Sequence, residues 1–265
     1  MSEHTPRVLV ERAGHAGAVA LLRLNRPAKS NAVDLALMEE LDSHLTAIEA
    51  DRGCRVIVLT GAGKSFCAGG DLDYFASLPP EKAAIPPATR MGAVLDRLAN
   101  GERVVIAAVN GPAVGGGLET ALACHLRVAS ASAVFSMRHR DLGMSPGWGG
   151  GARLFATVGA PAALWLLLTA DTIDAATALR IGLVQRVVPD RALLEESLAL
   201  ATDIAARPQG SVAGFLRLAA AYRTGGFDAA ARYEASLFAE RWQSAEFQAL
   251  LAERRAARMP GRDRA

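Results

Sequence analysis

A run of three glycines followed closely by a glutamate is the feature of this sequence that could do chemistry. Residues 110–119 read Asn-Gly-Pro-Ala-Val-Gly-Gly-Gly-Leu-Glu, after an apolar run at residues 104–109. This order predicts a strand, a glycine turn and the start of a helix. The first N–H groups of a helix have no internal partner, and glycines let an anionic oxygen approach them closely. The segment therefore predicts backbone donors beside a carboxylate, Glu119, and such donors can stabilise an oxyanion.

A second glycine-rich loop follows another apolar run, at residues 56–60. This loop, residues 61–72, ends in Ser-Phe-Cys-Ala-Gly-Gly-Asp-Leu. A single glycine-rich segment more often forms an ordinary turn than a binding site. Two strands that end in such loops could direct their amides at one oxygen, so the second loop favours a functional interpretation of the first.

The order and spacing of these motifs resemble the enoyl-CoA hydratase/isomerase family, the crotonase superfamily. The motifs that carry the resemblance are residues 65–72 and 111–119, preceded by Asn25-Arg-Pro27 and Asn31-Ala32 and followed by residues 148–154 and 178–184. The similarity covers most of the chain and fades toward the C-terminus. No single motif is decisive, but their order and spacing together are.

The resemblance implies an α/β fold, a crotonase-like (ClpP/crotonase) spiral of repeated ββα units with a C-terminal helical oligomerisation region. On this basis residues 1–205 are the spiral core, and residues 206–265 are the helical oligomerisation region. Members of the family form trimers that often pair into hexamers. A homotrimer or hexamer is therefore expected.

Apolar periodicity predicts several of the helices. Apolar residues at helical spacing from Leu35 to Ile48 predict the first helix, with Asp34 as its N-cap. Helical segments are also predicted at residues 192–205, 211–222 and 227–251, divided by Pro208 and by Gly225-Gly226. Prolines at positions 79, 80, 86 and 87 predict a surface connection across residues 71–90. In the family this segment covers the acyl pocket, so we expect it to be mobile without ligand.

The resemblance implies one physical step, the stabilisation of a thioester enolate. The carbonyl oxygen of a CoA-linked acyl group accepts two backbone N–H bonds, which hold the negative charge that develops on it. By their place in the two motifs, Ala68 and Gly116 are the expected donors. Such donors contribute about 3 kcal/mol each in the transition state, or about a hundredfold in rate.

Other residues are expected to contact the substrate by their place in the motifs. They are Ala68, Gly69, Gly115 and Gly116 around the thioester, Arg26, Lys29 and Asp71 near CoA, and Trp148 near the acyl chain. Arg26 and Lys29 could contact CoA phosphates, or could equally be solvated charges on a turn. For Asp71, capping of N–H groups in its own loop is the simpler role. Trp148 could form a wall of the acyl pocket or fill the core.

The resemblance places Glu119 at one of two glutamates with which family hydratases position and activate water. The second glutamate is missing, because alignment on Phe135 and Leu142-Gly143 puts His139 at its position. A histidine exchanges protons near neutral pH, so acid/base chemistry is retained. Asp141 could substitute instead, since the sequence does not fix the direction of its side chain.

Two mechanisms remain open. In the leading one, Glu119 activates water for addition to C3 of a 2-enoyl thioester, while His139 supplies a proton at C2 or orients the water. In the alternative, a malonyl-type acyl-CoA loses carbon dioxide, and Glu119 or His139 protonates C2. Residues 139–150 resemble a subgroup that includes ethylmalonyl-CoA decarboxylase-like proteins. A third hypothesis, a non-catalytic scaffold that binds acyl-CoA or RNA, is disfavoured because Glu119 is retained.

Composition argues against several other classes of protein. The chain has 265 residues, 51% of them apolar, and a net charge of +2, so it can build a large core but has no basic footprint for nucleic acid. Neither a leader segment nor an apolar run that could span a bilayer is evident, so a cytoplasmic protein without a membrane partner is expected.

The cysteines and histidines do not indicate a metal or disulfide site. Cys54, Cys67 and Cys124 lack paired spacing, and the histidines lack metal-ligand spacing. Cys67 lies in the second glycine loop and could be a nucleophile, but the family uses the backbone there. No metal and no cofactor are expected, since coenzyme A is part of the substrate.

Overall fold

The main sheet of the protein is formed by buried apolar segments. The structure is a computed structural model that describes residues 5–79 and 85–257. Within these residues the main sheet has the order β1-β2-β3-β4-β6-β9. Its strands are β1 Val8–Ala13, β2 Val19–Leu24, β3 Val56–Gly61, β4 Val104–Val109, β6 Leu126–Ser130 and β9 Arg186–Val188. Only β1 pairs antiparallel with its neighbour. Every residue of β3 and β4 is buried, as in a parallel sheet covered on both faces.

A second, smaller sheet runs beside the first. It has the order β5-β7-β8, with β5 Ala113–Val114, β7 Val134–Ser136 and β8 Ile173–Asp174. Strand β5 follows β4 directly, and β7 follows β6, so successive turns of the chain add one strand to each sheet. This arrangement confirms the predicted α/β spiral of ββα units.

Helices connect the turns of the spiral within the unit Met1–Ala205. They are α1 Leu35–Ala50, α2 Leu72–Ala76, α3 Ile85–Asn100, α4 Gly116–Leu122, α5 Gly150–Thr169, α6 Ala175–Arg180 and α7 Leu193–Ala205. Asp34 caps α1 as predicted, because its side chain accepts the Leu37 amide at 2.9 Å. Such a cap stabilises a helix by about 1 kcal/mol.

The predicted connection across residues 71–90 is shorter than expected. Helix α3 begins at Ile85 and contains Pro86 and Pro87 in its first turn. Proline is tolerated there because its missing N–H would have had no partner inside the helix. The prediction that these two prolines interrupt helical structure is therefore wrong. Pro80 and the expected mobility of this region lie outside the described residues.

Helix α5 is broken in its middle. Among the described residues it alone is long and apolar enough to cross a membrane, with a mean hydropathy of 1.5, and one such helix is weak support for a membrane span. Gly159 has φ 75° and ψ 165°, which are not helical angles. Each half of α5 is therefore shorter than the roughly 20 residues that a bilayer requires.

The unit Ala206–Ala265 is helical in its described part. It contains α8 Gln209–Gln243 and α9 Ala245–Ala257. Gly226 has non-helical angles, φ 69° and ψ −165°, and divides α8 at the predicted glycine pair. A methyl group placed on Gly214 would lie 3.1 Å from Leu237 Cδ1, so the two halves of α8 pack against each other. The break at Ser244, whose hydroxyl accepts the Phe247 amide, was not predicted.

The break in α5 leads to a stability prediction. Gly159→Ala should lower the free energy of unfolding by about 1–3 kcal/mol, because its backbone angles lie in a region almost restricted to glycine. Crowding does not contribute, since no atom lies within 4 Å of the added Cβ. Urea denaturation measures the change.

Gly92→Ala is the matched control, because its Cβ also meets nothing within 4 Å but Gly92 lies inside helix α3. This variant should gain up to about 1 kcal/mol from helix propensity. Equal stability of the two variants would show that α5 is not broken at Gly159.

Candidate active site

Residues 65–71, the glycine loop, are held on one edge by the turn that precedes α4. The amides of Phe66 and Cys67 both donate to the Pro112 carbonyl, at 3.1 and 3.2 Å. The Val114 amide donates in return to the Cys67 carbonyl at 3.0 Å. The two predicted glycine segments are therefore joined directly by backbone hydrogen bonds.

The opposite edge of the glycine loop is bonded to residues 30–33, here called the strap. The Ala68 amide donates to the Ser30 carbonyl at 3.0 Å, and the Val33 amide donates to the Gly69 carbonyl at 2.7 Å. The Asp71 amide donates to the Val33 carbonyl at 2.9 Å. The strap thus bonds to the Ala68 and Asp71 amides and to the Gly69 carbonyl, on either side of the Gly70 amide.

Between Phe66 and Asp71, the amide that forms no hydrogen bond within the described residues belongs to Gly70. A trans peptide directs its N–H opposite to its C=O, and the Gly69 carbonyl points at Val33. The Gly70 N–H must therefore point away from the strap. The prediction that Ala68 donates to the thioester is wrong, because Ser30 already occupies that amide.

Gly116, the other predicted donor, is the first residue of α4. Its amide has no hydrogen-bond partner in the described residues, whereas the Gly115 amide donates to Ser136 at 2.8 Å. A methyl group on Gly69 would lie 2.9 Å from the Gly116 nitrogen, and one on Gly117 would lie 1.9 Å from the Cys67 carbonyl oxygen. Close approach of the two segments therefore requires glycine at these positions.

Glu119 lies on the same helix and is buried, with a relative exposure of 1%. Its Oε2 accepts the amides of Trp148 and Gly150, both at 2.8 Å. Its Oε1 lies 3.0 Å from His139 Nε2. A methyl group on Gly150 would lie 2.2 Å from Glu119 Cγ, so glycine at that position makes room for the carboxylate. These contacts fix the carboxylate and leave Oε1 as the oxygen available for proton transfer.

His139, which the sequence placed at the position of the missing second glutamate, is the side chain that contacts that oxygen. It lies in a short 3-10 turn, Arg138–Leu142, after β7. Its Nδ1 is buried and has no hydrogen-bond partner in the described residues. Nε2 is therefore the ring nitrogen through which His139 and Glu119 can exchange a proton.

Asp141 does not replace the missing glutamate. Its side chain is 46% exposed and lies 3.4 Å from the Arg140 guanidinium.

Trp148 is 7% exposed, and a methyl group on Gly116 would lie 2.2 Å from its Cζ3 atom. The indole therefore packs directly on one of the two candidate oxyanion residues.

The charged residues expected near CoA have different surroundings. Asp71 caps α2 by accepting the Tyr74 amide at 3.1 Å, which is the simpler of its two predicted roles. Arg26 lies between Asp71 and Asp34, at 2.9 and 3.2 Å, and only 10% of its side chain is exposed. The structure therefore favours a structural role for Arg26 over a phosphate contact. Lys29 is 54% exposed and pairs with an exposed aspartate, so its contact with CoA stays a prediction.

The described residues contain no group of three or more His, Cys, Asp or Glu side chains that could hold a metal ion.

Cys67 is not suited to nucleophilic catalysis. Its side chain is fully buried, and burial raises the pKa of its thiol to about 12. At neutral pH the thiol therefore stays protonated and unreactive. The chemistry available here is proton transfer at Glu119 and His139 beside two free backbone amides.

Sequence reasoning missed three contributors to this site. They are the Gly70 amide, the two backbone amides that hold Glu119, and the strap that orients the glycine loop. The adjacent pair Gly69-Gly70 is the one sequence signal for the first. The other two depend on chain segments that meet only in the folded protein.

Comparison with known proteins shows consistent similarities. The profile described as enoyl-CoA hydratase/isomerase matches residues 14–258. A probable enoyl-CoA hydratase of Rhizobium meliloti is 45% identical over 190 residues, 71% of this chain and 72% of that protein. A crotonyl-CoA hydratase of Syntrophomonas wolfei is 40% identical over 196 residues, 73% and 75% of the two chains. A crystal structure of an enoyl-CoA hydratase from Bacillus anthracis has a TM-score of 0.89 at 31% identity, covering 94% of this chain and 96% of that one.

Reaction with a thiol reagent tests whether the glycine loop acts through its backbone amides rather than through the Cys67 thiol. Because Cys54, Cys67 and Cys124 are buried, they should react with dithiobisnitrobenzoate at neutral pH only after unfolding. Cys67→Ala should change turnover by less than about tenfold, since general catalytic groups contribute about a hundredfold or more. Rapid labelling of the native protein at Cys67, with loss of activity, would contradict the assignment.

Proposed function

Because this chain belongs to the enoyl-CoA hydratase/isomerase family, we propose that it adds water across the double bond of a 2-enoyl-CoA thioester. One observation carries the proposal. The Glu119 carboxylate is buried and fixed by two backbone amides, with its remaining oxygen 3.0 Å from His139 Nε2. This is an acid/base pair placed beside the two free amides of the glycine segments.

The amides of Gly70 and Gly116 would receive the thioester oxygen. As water adds to C3, negative charge moves through C2 onto that oxygen and forms an enolate. Two fixed N–H donors stabilise this charge without reorganising, and each contributes about 3 kcal/mol. Both donors are backbone groups at glycines, so no side chain obstructs the carbonyl.

Glu119 and His139 would handle the protons. Glu119 Oε1 takes a proton from water while the water oxygen bonds to C3. Glu119 then gives this proton to C2 of the enolate, while His139 Nε2, 3.0 Å from Oε1, orients the carboxyl group and the water. One molecule of water is consumed, and the pair returns to its starting protonation state. The reverse sequence dehydrates a 3-hydroxyacyl-CoA.

The pairing of Glu119 with a histidine also favours a second candidate reaction, the decarboxylation of a malonyl-type acyl-CoA. The site contains one carboxylate and one imidazole, so an acyl carboxylate would meet less repulsion than beside two glutamates. Loss of carbon dioxide gives the same enolate, and His139 or Glu119 would protonate C2. This reaction needs the two amides but no activated water.

Several partner assignments also belong to this proposal. We propose a homotrimer or hexamer, supported by aromatic side chains that the helical unit exposes, namely Phe215, Phe227, Phe238 and Trp242. Lys29 remains a candidate contact for a CoA phosphate. The proposal includes a cytoplasmic location, no bound cofactor beyond the CoA of the substrate, and no membrane or nucleic-acid partner.

Glu119→Gln tests the proposed reaction. Wild type should remove the double-bond absorbance of crotonyl-CoA, and the variant should lose about a hundredfold in kcat because the amide cannot act as a base. Folding should be retained, since the glutamine oxygen can still accept the amides of Trp148 and Gly150. Carbon dioxide release from methylmalonyl- or ethylmalonyl-CoA, without hydration of crotonyl-CoA, would instead establish the second candidate.

His139→Ala tests the second member of the pair. The variant should lose about a hundredfold in kcat and change the pH profile of turnover, because Glu119 would lose its proton partner. Asp141→Asn, on the same turn but exposed, is the control and should behave like wild type. An unaltered rate and pH profile in His139→Ala would show that the imidazole is structural.

A further inference from the structure

We propose that Arg26 is a positioning residue that sets the direction of the Gly70 amide. The inference rests on the proposed function, in which that amide receives the thioester oxygen. Arg26 belongs to the Asn25-Arg-Pro27 motif, which contributes no residue to the acid/base pair. Its guanidinium nevertheless reaches the residues that hold the glycine loop in place.

The guanidinium of Arg26 joins the strap to the end of the glycine loop. Its Nη1 donates to the Ala32 carbonyl, inside the strap, at 2.5 Å. Its Nη2 donates to Asp71 Oδ2 at 2.9 Å and lies 3.2 Å from Asp34 Oδ2. Asp34 follows the strap directly, and Asp71 follows Gly70. One planar cation thus connects the two segments whose register decides where the Gly70 N–H points.

The backbone of Arg26 also shapes the strap. Its amide donates to Asn31 Oδ1 at 2.9 Å, and its carbonyl accepts the Asn31 amide at 2.9 Å. Asn31 has a φ of 56°, in the left-handed region, and its Nδ2 donates to the carbonyls of Ala62 and Ser65. The conformation of the strap is therefore stabilised by hydrogen bonds from both the backbone and the side chain of Arg26.

The charges explain why a cation is required at this place. Asp34 and Asp71 are buried, with 6% and 7% of their surfaces exposed, and both cap helices. Burial acts to raise the pKa of Asp71, but the Tyr74 amide and the Arg26 guanidinium outweigh it and hold that pKa below its ordinary value. Without Arg26, Asp71 would lose its ion pair. Asp34 would keep only the ion pair with Arg7 at 3.5 Å, and hydrogen bonds alone would join the strap to the loop.

This role differs measurably from the phosphate contact that the sequence suggested. If Arg26 bound CoA, its loss would weaken substrate and transition state equally and raise KM with kcat unchanged. If it orients the Gly70 amide, its loss weakens a bond that strengthens only as the enolate forms. In that case kcat falls and KM changes little.

Arg26→Lys is the test variant, because lysine keeps the charge but cannot bridge both carboxylates and a carbonyl with one planar fork. Crotonyl-CoA hydration by this variant should show kcat lowered by about tenfold or more, with KM within about twofold of wild type. Arg97→Lys is the matched control. Arg97 also lies between two carboxylates, Asp42 and Glu49, but it joins α1 to α3. Its replacement should leave kcat unchanged.

The carbonyl stretch of bound butyryl-CoA, labelled with carbon-13 at C1, reports the amides without turnover. Difference infrared spectra should show a lower frequency in wild type and in Arg97→Lys than in solution, because hydrogen bonds polarise the carbonyl. In Arg26→Lys the shift should be smaller. A wild type that shifts this band but does not hydrate crotonyl-CoA would end the hydratase proposal and leave this test intact.

Asp71→Asn provides a second variant if Arg26→Lys folds poorly, since asparagine retains the helix cap but loses the ion pair. It should lower kcat and reduce the carbonyl shift in the same way, and the double variant should lose no more than the worse single variant. A raised KM with normal kcat in Arg26→Lys would overturn the inference. So would a full carbonyl shift in either single variant, or a wild type that leaves the band unshifted.

Discussion

Hydrogen bonds on both edges of the glycine loop are the constraint on which the rest of the site depends. One edge is bonded to Pro112 and Val114, and the other is bonded to the strap through Ser30 and Val33. The strap bonds use the amides of Ala68 and Asp71 and leave the Gly70 N–H free on the side opposite the strap. The Gly70 N–H is therefore available to an acceptor from outside the loop.

Helix α4 fixes the second half of the site. It begins at Gly116 and carries Glu119 in its first turn, so one short rigid element presents a backbone donor and a carboxylate together. The turn before α5 completes the arrangement by donating two amides to Glu119 Oε2. At Gly150 this turn lies so close to the helix that a methyl group would meet Glu119 Cγ at 2.2 Å. The carboxylate therefore cannot rotate away from His139 without losing bonds to both amides.

Charge is distributed unevenly around the site. Asp34 and Asp71 share the guanidinium of Arg26, whereas Glu119 has an imidazole as its partner in the described residues. An arginine always remains charged and does not exchange its proton. An imidazole can gain or lose a proton near neutral pH, so the pair it forms with Glu119 can exchange protons. The structural and the reactive carboxylates thus differ in the basic residue that faces them.

The sequence by itself determined the family, the spiral of ββα units, the cap at Asp34, the break at Gly226 and the choice of Glu119 and His139 as candidate acid/base residues, because each depends on local spacing or on a motif. The tertiary structure decided that Gly70 rather than Ala68 has the free amide, that Asp141 turns outward, and that Arg26 joins two aspartates. The physical reason is the same in each case. The direction of an N–H or a side chain depends on which distant segment bonds to its neighbours, and here residues 30–34 lie beside residues 65–71 only after the chain has folded.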